Sequence, residues 1–321
     1  MSVSRRGKSL AEVRKEAERS RKKQVIMVSF DYVRPPTLEH LLEGLRQAGS
    51  AGSVLAGGTD LHVKIRSGAT RPSVVFDISN LAPCRGILEQ GDQLRIGAAV
   101  RISEIVASAA VQHKAPSLAQ AARQMSSRQI RNRATLGGNV ITASSAADAI
   151  PPLLAADATL VLLSAGGKRM VALSQFLIGH GKTSLREGEV LTEVVVPAER
   201  SGCRSRFVKV GRRKAQAISI INLAGRIDIG QDGLIRDVRI VLGAVAPTAM
   251  RACRAEQALA GRAPSAENLA EAAALAAEEC RPISDVRATA NGRRLLVEAW
   301  TLHLLQALCH PDGERTEGWN S

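Results

Sequence analysis

Between Thr37 and Leu45 the apolar residues fall at Leu38, Leu41, Leu42 and Leu45. This spacing places them on one face of a helix, with Thr37 as its N-cap after Pro35-Pro36. Short apolar runs at 53–56 and 73–78 read as strands, the first breaking into Gly57-Gly58. Farther on, the pattern predicts a strand near 94–97, helices at 102–109 and 116–125, a second paired glycine at Gly137-Gly138, and a short helix at 148–156. Strands follow at 158–163, 169–172 and 190–196, and Pro197 to Cys203 reads as a linker. Beyond it the texture changes. Strands at 205–211, 217–229 and 234–243 are separated by tight turns such as Gly230-Gln231-Asp232-Gly233, the mark of an antiparallel meander. Alanine-rich helices are predicted at 252–260, 265–279 and 285–308.

Composition narrows the classes. The chain has 321 residues, 45% of them hydrophobic, enough for two or three compact units. Aromatic residues make up only 2%, so packing rests on Leu, Ile, Val and Ala. No apolar run is long enough to cross a bilayer. The five cysteines (Cys84, Cys203, Cys253, Cys280, Cys309) show no CxxC or Cys/His grouping. Neither a zinc site nor an iron–sulfur cluster can be built by local spacing, and unpatterned thiols suit a cytoplasmic location. The six histidines lack metal-like spacing, and no G-x-S-x-G elbow supports a hydrolase.

The formal charge of +14 would suggest nucleic acid were it not so unevenly placed. Residues 1–26 hold nine basic side chains against three acidic ones, and they lack the apolar core of a secretory signal. They read as a solvated extension, or as sequence upstream of a start at Met27. Elsewhere no basic stretch interleaves aromatics for base stacking, so nucleic-acid binding is not expected.

Two segments carry the chemistry. In Val54-Leu55-Ala56-Gly57-Gly58-Thr59-Asp60-Leu61 a strand ends in paired glycines that let backbone N–H groups approach an anion. Thr59 adds a hydroxyl, and the helix predicted from Asp60 offers its positive end. The loop is neither GxGxxG nor a Walker motif, and alone it is more often a structural turn. The second segment, Arg131-Asn132-Arg133-Ala134-Thr135-Leu136-Gly137-Gly138-Asn139-Val140-Ile141-Thr142, repeats the combination. Asp148 follows after small residues, placed either to accept the hydroxyls of a ribose or to cap a helix. Together the loops point to a diphosphate held from both sides.

The order Gly-Gly-Thr-Asp, then Ile-Arg-Asn-x-Ala-Thr-x-Gly-Gly-Asn, then Ser-x-x-Asp resembles the FAD-binding subunit of molybdenum hydroxylases, the family of xanthine dehydrogenase and carbon monoxide dehydrogenase. The resemblance runs from about Phe30 to Leu308. It implies an α+β fold: a two-part FAD-binding domain of the vanillyl-alcohol-oxidase-like (PCMH) type at 27–84 and 85–199, then a smaller domain at 200–310. That domain would hold a three-stranded antiparallel sheet and a helical bundle, with a tail at 311–321. It implies further that Leu55, Ala56, Gly57, Gly58, Thr59, Asp60 and Leu61 wrap the pyrophosphate and ribityl region of FAD, with Thr135, Gly138 and Asn139 closing from the other side. Thr142 and Asp148 would meet the phosphate and the adenosine end, Leu191 would pack near a ring, and Lys209 would reach the flavin's pyrimidine side. Gly179-His180-Gly181-Lys182-Thr183 resembles a loop of purine-hydroxylase-like members.

Two departures stand out. Gln124-Met125 occupies the region where relatives set an aromatic against the isoalloxazine, although Met can pack on a ring. The inserted cysteine group of one reductase branch is missing. The role implied is an oxidoreductase subunit that takes electrons from [2Fe-2S] clusters of a small partner, itself served by a molybdopterin-containing large subunit. It would pass them to NAD+ or another acceptor. No side chain need act as general acid or base, and no metal site is implied. The rival readings are a stand-alone FAD-dependent oxidase and a flavin-free assembly subunit.

Overall fold

The computed structural model describes residues 29–213 and 216–310. Residues 1–26 and 311–321, for which an extension and a tail are expected, lie outside them.

Among the described residues three larger sheets and one two-stranded sheet are formed. In the first, β1 (Asp31–Val33), β2 (Gly52–Leu55) and β3 (Val74–Asp77) run parallel in the order β1-β3-β2. Helix α1 (Leu38–Ala48) and the six-residue α2 (Leu61–Arg66) make the crossovers. Thr37 caps α1 as its position predicts, accepting the His40 N–H at 3.4 Å, and Leu41 and Leu45 are buried beneath it. With Phe76, Ile78 and Cys84 they form a small core shared with Ala99 and Val190, so this sheet leans on the next one.

The second sheet is antiparallel, in the order β4-β5-β10-β6-β7. Its strands are β4 (Ile87–Gln90), β5 (Gln93–Gly97), β6 (Thr159–Ser164), β7 (Gly167–Ala172) and β10 (Val190–Pro197), with a two-stranded hairpin, β8 (Leu177–Gly179) and β9 (Lys182–Thr183), inserted before β10. One face is covered by α3 (Ile102–Ala107), α4 (Ala109–Lys114), α5 (Pro116–Gln124), α7 (Leu136–Thr142), α8 (Ile150–Ala155) and α9 (Leu173–Phe176), while the short α6 (Arg128–Arg131) adds nothing to this core. Leu94, Ile96, Leu118, Leu136, Leu153 and Leu160 meet in between, nearly free of solvent. Each such side chain contributes about 1.5–3 kcal/mol. The helix expected over 102–109 is in fact two, because Ser108 ends α3 and caps α4 with its hydroxyl on the Val111 N–H.

The third sheet comprises β11 (Arg204–Val210), β12 (Ile221–Ile229), β13 (Ile235–Gly243) and a two-residue edge strand, β14 (Met250–Arg251). The meander therefore has a fourth strand beyond the three anticipated. Alternation along these strands sends Ile221, Leu223, Ile240 and Leu242 toward α10 (Cys253–Leu259), α11 (Ala266–Glu279) and α12 (Ala290–Cys309). The opposite face sends Phe207, Ala224 and Val241 into the core of the second unit. This sheet is thus buried on both sides. At Gly225 a side chain would strike Leu304 and Leu308, so a glycine lets α12 lie close.

Helix α12 starts at Ala290 rather than 285. Asp285 is occupied instead with Arg287 and with Arg293, which is 1% exposed and also donates to the carbonyls of Ile220 and Ala244 at 2.6 and 2.7 Å. Thr289 then supplies the cap. Strand β12 likewise starts at Ile221, later than predicted, because Ser219 is committed to another unit of the fold.

Candidate functional site

The two glycine loops touch. A side chain on Gly57 would overlap the backbone of Arg133 and approach the Cα of Ala134 to 2.9 Å. The turn continues through Gly58, at φ +74, where glycine escapes the strain that other residues meet. On the second loop Gly137 packs on the backbone of Ala98, and Thr135 caps α7 by accepting the Gly138 N–H at 3.1 Å. The Thr142 hydroxyl donates to Asp60 at 3.2 Å, and Asp60 also holds Lys64 at 2.7 Å. Thr142 thereby links the second loop to the first.

A cavity of about 300 Å³ opens on the side of the first sheet, lined by Leu55, Ala56, Leu61, Thr135, Tyr32 and Asp77 among others. Tyr32, remote in sequence, thus joins the loops' surroundings. Its hydroxyl donates to Asp77, and Arg34 approaches the same carboxylate at 3.3 Å. Burial pushes the Asp77 carboxyl up, but the Tyr32 hydroxyl, the Ser79 donors and Arg34 outweigh it and hold it below its ordinary value. Cys84, fully buried near Glu193, is pushed up to about 12, first by burial and then by that charge, and is an unreactive thiol.

On the other side lies a charged cluster. Lys209 Nζ donates to Asp148 Oδ2 at 2.6 Å and to the Gln124 carbonyl at 3.2 Å. Asp148 Oδ1 accepts from Ser219 Oγ at 2.7 Å and from Asn222 Nδ2 at 2.8 Å. Asp148 is 6% exposed, Ser219 and Asn222 not at all. Strand register builds this arrangement: Lys209 on β11 stands opposite Asn222 on β12, which stands opposite Gly243 on β13. A side chain at Gly243 would displace the Asn222 amide oxygen.

Asp148 does not cap the helix, whose N-cap is Ala149. It is paired instead with Lys209, so the two positions implied for different ends of FAD stand together at one ion pair. Leu191 is 3% exposed in the core beside a register shift of β10, one residue before Thr192, whose carbonyl accepts the Ala98 N–H. Thr59 and Gly58 sit half-buried on the first loop, Gly138 is exposed, and Asn139 lies near Met125. Ser219 and Asn222 escaped the sequence reading. Their one signal is a polar residue every third position within the apolar run 217–224.

The site fits a dinucleotide carrying a flat ring. Paired glycines expose backbone, and the Asn139 side-chain oxygen is buried without a donor among the described residues, an unmet demand that a ligand N–H or hydroxyl can answer. The basic side chains around the cavity suit a diphosphate. Among the described residues no group of His, Cys, Asp and Glu could hold a metal.

Comparison with known proteins agrees with this fit. Residues 28–199 match the model of the FAD binding domain in molybdopterin dehydrogenase, and residues 206–308 that of the CO dehydrogenase flavoprotein C-terminal domain. The chain is 30% identical to the 6-hydroxypseudooxynicotine dehydrogenase complex subunit alpha of Paenarthrobacter nicotinovorans, over 88% of this chain and 95% of that one. It is 32% identical to the xanthine dehydrogenase FAD-binding subunit of Escherichia coli O157:H7, over 77% and 85%. Carbon monoxide dehydrogenase from Hydrogenophaga pseudoflava superposes with a TM-score of 0.83 at 32% identity, covering 87% of this chain and 96% of that one.

Proposed function

Since the chain belongs to the FAD-binding subunits of the molybdenum hydroxylases and its cofactor is FAD, we propose that it accepts electrons from [2Fe-2S] clusters of a small partner subunit and delivers them to NAD+ or another acceptor. A molybdopterin-containing large subunit completes the complex as a heterotrimer. FAD, when bound, supplies the exchange between one-electron and two-electron transfer.

The chain's own residues bind and orient. Leu55 to Leu61, with Thr135, Gly138 and Asn139, hold the diphosphate and ribityl chain through backbone donors. The cavity beside Tyr32 and Asp77 receives the adenosine end, and Asp148 with Lys209 faces the ring end. The observation that carries this reading is the interlock of Gly57 with the Arg133 backbone, which sets two anion-accepting turns against each other. On this reading 27–199 grips the cofactor and 200–310 closes over its ring. The cytoplasm is the location we propose, supported by five free cysteines. No helix among the described residues is long and apolar enough to cross a membrane.

The test is purification of the native complex. It should yield two further subunits, iron, molybdenum and about one FAD per chain, and its flavin should be reduced by an organic substrate and reoxidised by an acceptor such as NAD+. Flavin reduction by an organic donor with this chain alone would identify an oxidase instead. A colourless chain that takes up no FAD would leave an assembly subunit.

A further inference from the structure

Ser219 and Asn222 are wholly buried at the start of a strand, among Ile220, Ile221, Leu223 and Ala224. Polar side chains in such places cost stability unless hydrogen bonds compensate, and apolar residues would serve the packing better. Both donate to one atom, Asp148 Oδ1, at 2.7 and 2.8 Å, and Asn222 Nδ2 also reaches Ser219 Oγ at 3.5 Å. The other oxygen of that carboxylate is left to Lys209 at 2.6 Å. An ammonium has three N–H donors. Two are directed at Asp148 and the Gln124 carbonyl, leaving one to point elsewhere.

We propose that Ser219 and Asn222 are positioning residues for the ring end of the cofactor: by holding Oδ1 of Asp148 they keep Lys209 on Oδ2 alone and so fix where its remaining N–H is presented. The inference rests on the reading that Lys209 stands at the ring of FAD. It assigns to the C-terminal sheet a share in setting the ring's electrostatics without touching the ring. With Oδ1 unoccupied, the ammonium is drawn across both carboxylate oxygens, the strongest partners within its reach, and withdraws from the cofactor. A positive charge near the ring favours the reduced, more negative form, so its withdrawal lowers the flavin midpoint potential. Gly243 belongs to the same device, because only a glycine there leaves room for the Asn222 amide.

The experiment uses the full-length, FAD-loaded chain and compares wild type, Lys209→Gln, Ser219→Ala and Asn222→Ala. Spectroelectrochemical midpoint potential, FAD dissociation constant and melting temperature are measured for each. Lys209→Gln should lower the potential. Ser219→Ala and Asn222→Ala should lower it in the same direction by less, with FAD affinity falling less than tenfold. If Lys209→Gln leaves the potential unchanged, the placement of Lys209 at the ring is wrong and the inference goes with it. If Lys209→Gln shifts it while Ser219→Ala alters only melting temperature or affinity, the placement stands and the positioning role is overturned. Ser219→Ala removes a single oxygen and decides the matter should Asn222→Ala fail to fold.

Discussion

The backbone of Arg133 fills the space in which a side chain on Gly57 would begin. Each glycine loop is therefore part of the wall of the other, and neither can widen alone.

Gly57→Ala should consequently separate the loops. Forcing a methyl group into packed backbone costs about 1–3 kcal/mol, and here the cost falls on the cofactor grip. FAD should bind at least about tenfold more weakly in equilibrium titration of apoprotein. Gly166→Ala, whose added atom meets only Ser164 Oγ at 3.6 Å, is the control and should bind normally.

The Lys209–Asp148 pair, with both side chains at most 8% exposed, should be far costlier to break than to delete. Removing one partner strands a buried charge at about 3–5 kcal/mol. Lys209→Met alone should lower stability by that order in urea denaturation. The double variant Lys209→Met, Asp148→Leu should recover a good part of the loss. Additive losses would contradict a coupled pair.

Glu199 lies in the linker beside Cys203, where burial pushes its carboxyl up from 4.5 to about 7 against smaller opposing pulls from Ser205 and Arg226. Between pH 4.5 and about 7 the unfolded chain gives up this proton before the folded one does. Stability from this group therefore declines as pH rises through that window and stays reduced above it. Glu199→Gln, which mimics the protonated form, should be more stable than wild type at pH 8 and indistinguishable from it below pH 4.5. Denaturation midpoints of both proteins across that range provide the check.

Arg293 is enclosed by two carbonyls and Asp285. A lysine keeps the charge but not the planar fork that serves three acceptors at once. Arg293→Lys should cost on the order of 2 kcal/mol through acceptors left unmet, visible as a lower melting temperature. FAD content per folded chain should remain unchanged.

Local signals were enough for much of the architecture. Thr37 and the leucines after it define α1, and paired glycines mark both loops. Ser108, which divides one apparent helix into two, needs only a single dihedral to change from helical to extended, and periodicity does not register that. The role of Asp148 was less accessible still. Its partners lie 61, 71 and 74 residues downstream, and only the pairing of β11 with β12 brings them to one point. A carboxylate after a glycine loop reads as a ribose ligand or a cap when its surroundings are unknown. Tyr32 lies 45 residues from Asp77 along the chain, yet the parallel pairing of β1 with β3 puts the two side by side.

The polar cluster at Asp148 also bears on how such a protein can be recombined. Asp148 and Gln124 belong to the first matched segment, and Lys209, Ser219 and Asn222 to the second. A chimera spliced in the intervening linker inherits the carboxylate from one parent and its donors from the other. Such halves behave as a matched lock and key rather than interchangeable cassettes: a graft lacking any one of the three donors imports a vacancy beside the Asp148 carboxylate, however well its sheet and helices fold.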